Sequence, residues 1–349
     1  MVLDKRKLFF RGIVAVVVIG ALYRYFTTQP DLKLFHIAGH TMGTIEYNVK
    51  YLSADDAVSK TEIDATLIAF NKSVSTYIPD SEISKLNLTG TVSNPSEMFI
   101  DVLRASSTVF QNTDGVFDPT VGPLVNAWGF GPNKRMEVPD SMKIVALKKR
   151  IGFQKLQISD EIVTMDSLMF LDFSAIAKGY AVDLIAEKLE SNGIQNYLVE
   201  IGGEVRALGF NDQQKNWSIG IEDPLVGQDE RKLLAIVRLE GKSMATSGNY
   251  RNYYKIGDRI IAHTIDPRTG YNTTHNLLSA SVIAKDCMTA DAYATAFMVV
   301  GLAKSKEIAK KTDLDVFLIY QKEDGTLGSY ISTGLETYVE MNKTMQISQ

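Results

Sequence analysis

Asp291 and Thr295 stand four residues apart in the last clear helical stretch of the chain, Asp286-Cys-Met-Thr-Ala-Asp-Ala-Tyr-Ala-Thr-Ala-Phe-Met298. On a helix that spacing places a carboxylate and a hydroxyl on one face, a single turn apart. Two hard oxygen donors form an incomplete ligand set that suits Mg²⁺, an ion that keeps waters and takes substrate phosphates as further ligands. An aspartate near a helix N-terminus, favoured by the macrodipole, beside a packing threonine would look the same, so spacing leaves both readings open. A second stretch is Leu171-Asp-Phe-Ser-Ala-Ile-Ala-Lys-Gly-Tyr-Ala-Val-Asp-Leu-Ile-Ala-Glu-Lys-Leu189. There an alternating run, Ser167 to Phe173, gives way at Ser174 to apolar Ala181, Leu184, Ile185 and Leu189 at helical spacing. Strand, tight turn and helix are predicted. The turn residues Ser174, Ala175, Ala177 and Gly179 are small enough to admit a ligand to the backbone, and the helix N-terminus behind them favours an anion such as phosphate. Simple packing would also explain small residues there. His263 precedes a Pro-Arg-Thr-Gly turn, where it would serve as a general base or as a turn-stabilising or exposed histidine. His36, His40 and His275 have no partners by pattern, and without a cysteine or a close His pair zinc is not expected. Neither a Gly-x-Ser-x-Gly elbow nor a paired-carboxylate glycosidase signature stands out.

The elements that must position these groups come from a chain of 349 residues with 45% hydrophobic content, enough for one large domain or two intimately packed ones. A net charge of -4 argues against a nucleic-acid partner. Ile45, Tyr47 and Val49 alternate as a strand entered through the turn in His40-Thr-Met-Gly-Thr44, and Asp55 to Tyr77 has helical spacing until Pro79 ends regular structure. Ser96 is placed to cap a helix through Val109, after which Thr113-Asp-Gly-Val-Phe-Asp-Pro-Thr-Val-Gly-Pro123 must be a loop, its aspartates and Phe117 either capping turns and filling core or touching ligand. A polar stretch from Gly129 leads to a basic helix ending at Arg150, with short strands at 155–158 and 162–165. Beyond the central helix, strands are predicted at 197–209, broken by Gly202-Gly203, then at 217–221, 234–239 and 243–247, with a hairpin over 250–265 and a further strand at 278–284. Strands and helices cluster in runs, so the expected class is α+β, with mixed sheets and flanking helices in a single large unit.

The N-terminus reads differently. Lys5, Arg6, Lys7 and Arg11 precede an apolar run from Gly12 to Tyr23, the pattern of an export or anchoring signal. Residues 1–30 are expected to form an uncleaved membrane anchor, with a cleaved signal peptide as the alternative, and to leave residues 31–349 outside the cytoplasm. A lipid anchor is not expected, because the single cysteine is Cys287, which also rules out an internal disulfide.

Six motifs taken in order, Thr41-Met-Gly-Thr44, Asp114-Gly-Val-Phe-Asp-Pro-Thr-Val-Gly122, Asp172-Phe-Ser-Ala-Ile-Ala-Lys-Gly-Tyr-Ala181, Val199-Glu-Ile-Gly-Gly203, His263-Thr-Ile-Asp-Pro-Arg-Thr-Gly270 and Met288-Thr-Ala-Asp-Ala-Tyr-Ala-Thr295, resemble the FAD:protein FMN transferase (ApbE) family. The resemblance spans about residues 38 to 335. It implies an exported, Mg²⁺-dependent enzyme that splits FAD at its pyrophosphate and moves FMN to a threonine hydroxyl of a partner protein, releasing AMP. It also implies FAD contacts at Met42, Tyr77, Val116, Phe117, Asp118, Ser174 and Ile265, with Lys178 ranked below Ser174, and a metal held by Asp291, Thr295 and the carbonyl of Ala177. Such a reaction needs a proton acceptor for the threonine; His263 is the first candidate and Asp291 or a metal-bound hydroxide the second, and sequence leaves them open. Expected partners are subunits of sodium-pumping or electron-transfer complexes and periplasmic flavoproteins, reached from the periplasmic side of a bacterial inner membrane. An FAD pyrophosphatase giving FMN and AMP, or a non-catalytic FAD-binding protein, are the alternatives.

Overall fold

The computed structural model describes residues 14, 16–18, 20, 32–130, 138–226, 232–249, 253–256, 259–262 and 264–342. The N-terminal anchor expectation therefore lies almost wholly outside the described residues; among them no helix is long and apolar enough to cross a membrane. The first hairpin pairs β1 (Lys33–Thr41) with β2 (Ile45–Ser53), and β2 turns Tyr47, Val49 and Tyr51 into the core at every second position. Helix α1 (Lys60–Val74) begins five residues later than the periodicity suggests, because Ser59 and Glu62 close a capping box there. Then come α2 (Glu82–Thr89), β3 (Thr91–Ser93) and α3 (Glu97–Asn112), the last capped by Ser96 as predicted. The loop after α3 ends in α4 (Gly122–Ala127), and α5 (Ser141–Lys148) leads to the short strands β4 (Gln157–Ile158) and β5 (Ile162–Thr164).

The second half opens with α6 (Ala177–Ser191), β6 (Tyr197–Ile201) and β7 (Glu204–Leu208). It continues through β8 (Trp217–Glu222), β9 (Leu233–Leu239), β10 (Ser243–Gly248) and the hairpin of β11 (Tyr253–Ile256) with β12 (Arg259–Ala262). The last elements are β13 (Leu277–Ala284), α7 (Cys287–Lys311), β14 (Asp315–Gln321), β15 (Leu327–Ile331) and β16 (Val339–Met341). Eight strands form the main sheet in the order β1-β2-β6-β7-β10-β13-β14-β15. All pairings among the described residues are antiparallel, so the class is α+β as expected and the expected mixed sheets are narrowed to antiparallel ones.

Both faces of the middle of this sheet are covered. Along β14, Val316 and Leu318 face the large core shared with α1, α3, α6 and α7, while Phe317 and Ile319 face a smaller core closed by β8 and β9. That is why β13 and β14 read as nearly continuous apolar runs. Helix α7 lies against β10, β13 and α6, so Asp291 and Thr295 reach the site from the most heavily packed helix of the fold.

Two expectations are corrected. Residues 167–173 form no strand: Asn87 clamps Leu171 through its side chain, accepting from Leu171 N at 2.7 Å and donating to Leu171 O at 2.9 Å, and Asp172 N donates to Pro119 O at 2.8 Å. The alternation is real, since Met169, Leu171 and Phe173 are buried, but a side chain and a loop replace the ladder. Gly202-Gly203 does not bulge one strand. It turns a two-residue hairpin between β6 and β7, with φ of 63° and 104° that suit glycine.

Helix α7 breaks at Gly301, and His275 fills the break. Its Nδ1 accepts from Leu277 N at 3.2 Å, so Nε2 carries the proton it donates to Met298 O at 2.9 Å, while Ser305 Oγ donates to Gly301 O at 2.7 Å. Burial holds His275 below its usual range. Below about pH 6.5 the unfolded chain takes up a proton that the folded chain resists, so this contribution to stability is full above that pH and is lost as pH falls through it. Calorimetric Tm values between about pH 5 and 8 are expected to show this acid slope in the wild type and a flatter one in His275→Gln.

Candidate active site

A cleft of about 460 Å³ opens where the start of α6, the second turn of α7, the end of β10, the loop after α3 and the segment 264–267 meet. Of the predicted site residues, Tyr77, Val116, Phe117, Asp118, Ser174, Lys178, Ile265, Asp291 and Thr295 all line it. The two stretches that the sequence presents separately, at 174–179 and 291–295, are joined here. Met42 is not among the lining residues. It sits in the β1–β2 turn at φ 47°, half-buried against the main core. Ala177, also absent from the lining, is the buried first residue of α6. His263 lies outside the described residues.

The junction of α6 and α7 is the floor of the cleft. No side chain caps α6; instead its Gly179 N–H donates to Asp291 Oδ2 at 2.9 Å. The anion expected at this helix N-terminus is thus met, within the protein, by the carboxylate itself. Gly179 permits the approach, since a Cβ there would lie 2.3 Å from Cys287 O and 2.8 Å from Asp291 Cβ. Asp291 is 3% exposed and makes no other hydrogen bond among the described residues, so one carboxylate oxygen has no partner. Thr295 Oγ1 shares a hydrogen bond with Ser247 Oγ of β10 at 3.2 Å.

Lys178 reaches across this floor to Glu204, Nζ to Oε1 at 2.5 Å. Glu204 is 2% exposed, and its second oxygen is buried without a partner. Burial pushes Glu204 up to about 7 against the pull of Lys178, and it raises Asp291 too. With both carboxylates ionised, one ammonium would leave a negative charge uncompensated, which a bound cation would offset. Hard oxygen donors, an excess of negative charge and an unpartnered carboxylate oxygen beside a threonine hydroxyl fit a divalent cation such as Mg²⁺. Residues that hold it would be Asp291 and Thr295, with the Ala177 carbonyl adjacent in the chain to Lys178.

The walls divide their labour. Val116 and Phe117, each 3% exposed, fill the main core from the cleft side, which is the core-filling reading of that loop, and both also line the cleft. Asp118 organises the loop: Oδ1 accepts from Thr120 N at 2.8 Å and Thr120 Oγ1 at 2.6 Å, Oδ2 accepts from Phe153 N at 3.3 Å, and burial raises its pKa. Ser174 is exposed and tied to Asp172 Oδ1 through both N–H and hydroxyl. Tyr77 stands at the rim, 80% exposed, while Ile265 closes a small apolar cluster with Leu124, Trp128 and Ile144. Sequence reasoning missed Ser247, Phe170 and Glu204. Glu204 had a signal, the Gly-Gly pair directly before it; Ser247 and Phe170 had none, being polar and aromatic residues without a partner nearby in sequence.

The pattern of the ApbE family matches residues 42–318. A FAD:protein FMN transferase of Haemophilus influenzae is 40% identical over 329 residues, which is 90% of this chain and 93% of the relative. One of Vibrio cholerae serotype O1 is 39% identical over 93% of this chain and 98% of the relative. Among solved structures, the flavin transferase ApbE from Vibrio cholerae has a TM-score of 0.79 at 36% identity, covering 88% of this chain and 100% of that one. The apo form of Pseudomonas stutzeri flavinyl transferase ApbE has a TM-score of 0.79 at 35% identity, covering 88% of this chain and 97% of that one. With its pattern matched across the whole cleft and its relatives covered nearly end to end, the chain belongs to the ApbE family.

Proposed function

We propose that this chain is a FAD:protein FMN transferase that moves FMN from FAD to a threonine hydroxyl of a partner protein and releases AMP. The observation that carries the reading is the charged floor of the cleft, where Lys178, Asp291 and Thr295 sit together beneath largely apolar walls. Mg²⁺ bound there would neutralise the pyrophosphate and the charge that develops on departing AMP. Lys178 takes a phosphate oxygen, and the walls around Val116, Phe117 and Ile265 orient the substrate and exclude water. The threonine oxygen forms a bond to the phosphorus nearer riboflavin as the bond to the AMP oxygen breaks, and the hydroxyl proton passes to a protein base. We assign that base to His263, the residue before the buried Thr264, with Asp291 as the alternative. Residues 1–30 would tether the enzyme to a bacterial inner membrane on the periplasmic side, beside acceptors in electron-transfer or sodium-pumping complexes.

The test is in-gel flavin fluorescence with the chain, FAD, Mg²⁺ and an acceptor domain carrying a threonine motif. The expected result is a denaturation-resistant band on the acceptor that disappears with EDTA or with Thr→Ala in the acceptor. Free FMN and AMP without a band would establish a pyrophosphatase instead, and intact bound FAD a carrier.

A further inference from the structure

The two helices that form the cleft floor clamp each other reciprocally. Gly179 of α6 donates to Asp291 of α7, and one turn further along α6, Asp183 accepts the N–H groups of Cys287 at 2.9 Å and Met288 at 2.8 Å. The offset is four residues on α6 and three to four on α7, in opposite directions, so each helix closes its carboxylate on the free N–H groups at the start of the other. Behind Asp183, Arg206 of β7 donates to Oδ1 at 3.0 Å and is itself held by Glu190 at 2.8 Å.

An ordinary N-cap does not need this arrangement. Helix α7 already has one in Asp286, whose side chain accepts from Thr289 N at 2.8 Å. That cap is internal to the α7 segment and carries no information about where α7 sits along α6. The Asp183 bonds do carry it, and they act where Gly179 lets the two backbones touch, so that a small slide of α7 would separate Asp291 from Gly179.

We infer that Asp183 is a positioning residue: by gripping the first two N–H groups of α7 it sets the register in which Asp291 meets Gly179 and turns its other oxygen to the cleft. The functional consequence rests on the metal reading of Asp291 proposed above; the register itself does not.

The experiment uses the full chain free of FAD and metal, comparing wild type, Asp183→Asn, Asp291→Asn and the core-trimming control Ile185→Val. Asparagine keeps the shape of Asp183 but offers a donor where the second N–H points. Hydrogen exchange of the peptide containing Gly179 is expected to speed up at least tenfold in Asp183→Asn, and the Kd for Mn²⁺, read by electron paramagnetic resonance, to rise at least tenfold. Ile185→Val is expected to lower Tm without moving either reading. Wild-type protection of Gly179 in Asp183→Asn overturns the inference, as does an equal response in Ile185→Val. If Asp291→Asn binds Mn²⁺ as wild type does, the metal reading fails, and Gly179 exchange alone then decides the register. Should Asp183→Asn not accumulate as folded protein, Asp183→Glu, which keeps the charge on a longer arm, is expected to expose Gly179 in the same way with a smaller loss of Tm.

Discussion

Asp291→Asn is expected to lower flavin transfer by on the order of 10³-fold while leaving Tm unchanged or higher. The two side chains have the same shape, and the amide oxygen still accepts from Gly179 N, so the α6–α7 contact at 2.9 Å survives. What disappears is the charge. In the folded chain that charge is costly: Asp291 is buried, its pKa is raised by desolvation, and Lys178, its nearest compensation, is shared with Glu204. Removing an incompletely paired buried charge is neutral or stabilising, whereas removing one partner of a balanced pair is not. Activity and stability are therefore expected to move apart, which is the mark of a residue kept for chemistry. Initial rates across a Mg²⁺ series, with calorimetry on the same samples, check both halves. Wild-type transfer at equal Mg²⁺ would remove Asp291 from the site, and a Tm lowered by many degrees would make it a structural residue.

Gly179→Ala is expected to abolish transfer and to lower stability by about 3 kcal/mol, which corresponds to a fall in Tm of roughly 4–5 °C for a domain of this size. Helix propensity alone predicts the opposite sign, since alanine is favoured over glycine in a helix by about 1 kcal/mol. The overlap decides. A Cβ at Gly179 would sit 2.3 Å from a backbone carbonyl oxygen, that of Cys287, and no side-chain rotation can clear a backbone atom. Helices α6 and α7 must separate, and with them Ala177 and Lys178 from Asp291 and Thr295. Thermal unfolding and the fluorescence assay test this together; a variant more stable than wild type would show that the helices yield cheaply and that their close approach is not required.

Much of the scaffold was legible locally. Ser96 capping α3, the periodicity that gives α6 and α7, and the alternation of β2 and β9 depend on neighbours within a few residues, and so did both halves of the site. Failures came where a distant group replaced a local one. The alternating run at 167–173 reads as a strand, but Asn87, 84 residues away, takes the hydrogen bonds a ladder would have used. Asp118 reads as a ligand contact or a cap, and only the packing of Phe153 and Thr120 around it shows how its oxygens are occupied.

By itself, then, the sequence determined the α+β class, the anion-seeking turn before α6 and the oxygen pair on one face of α7, because periodicity, capping and side-chain chemistry are short-range. Tertiary structure supplied the contact that makes the turn and the oxygen pair one site, as the family resemblance implies: a hydrogen bond from Gly179 to Asp291, 112 residues apart in the chain. It also decided that Glu204 lies beneath Lys178 and that Met42 stands outside the cleft lining. Burial and long-range contact set a carboxylate's charge balance and its free oxygen, and neither is written in the residues beside it.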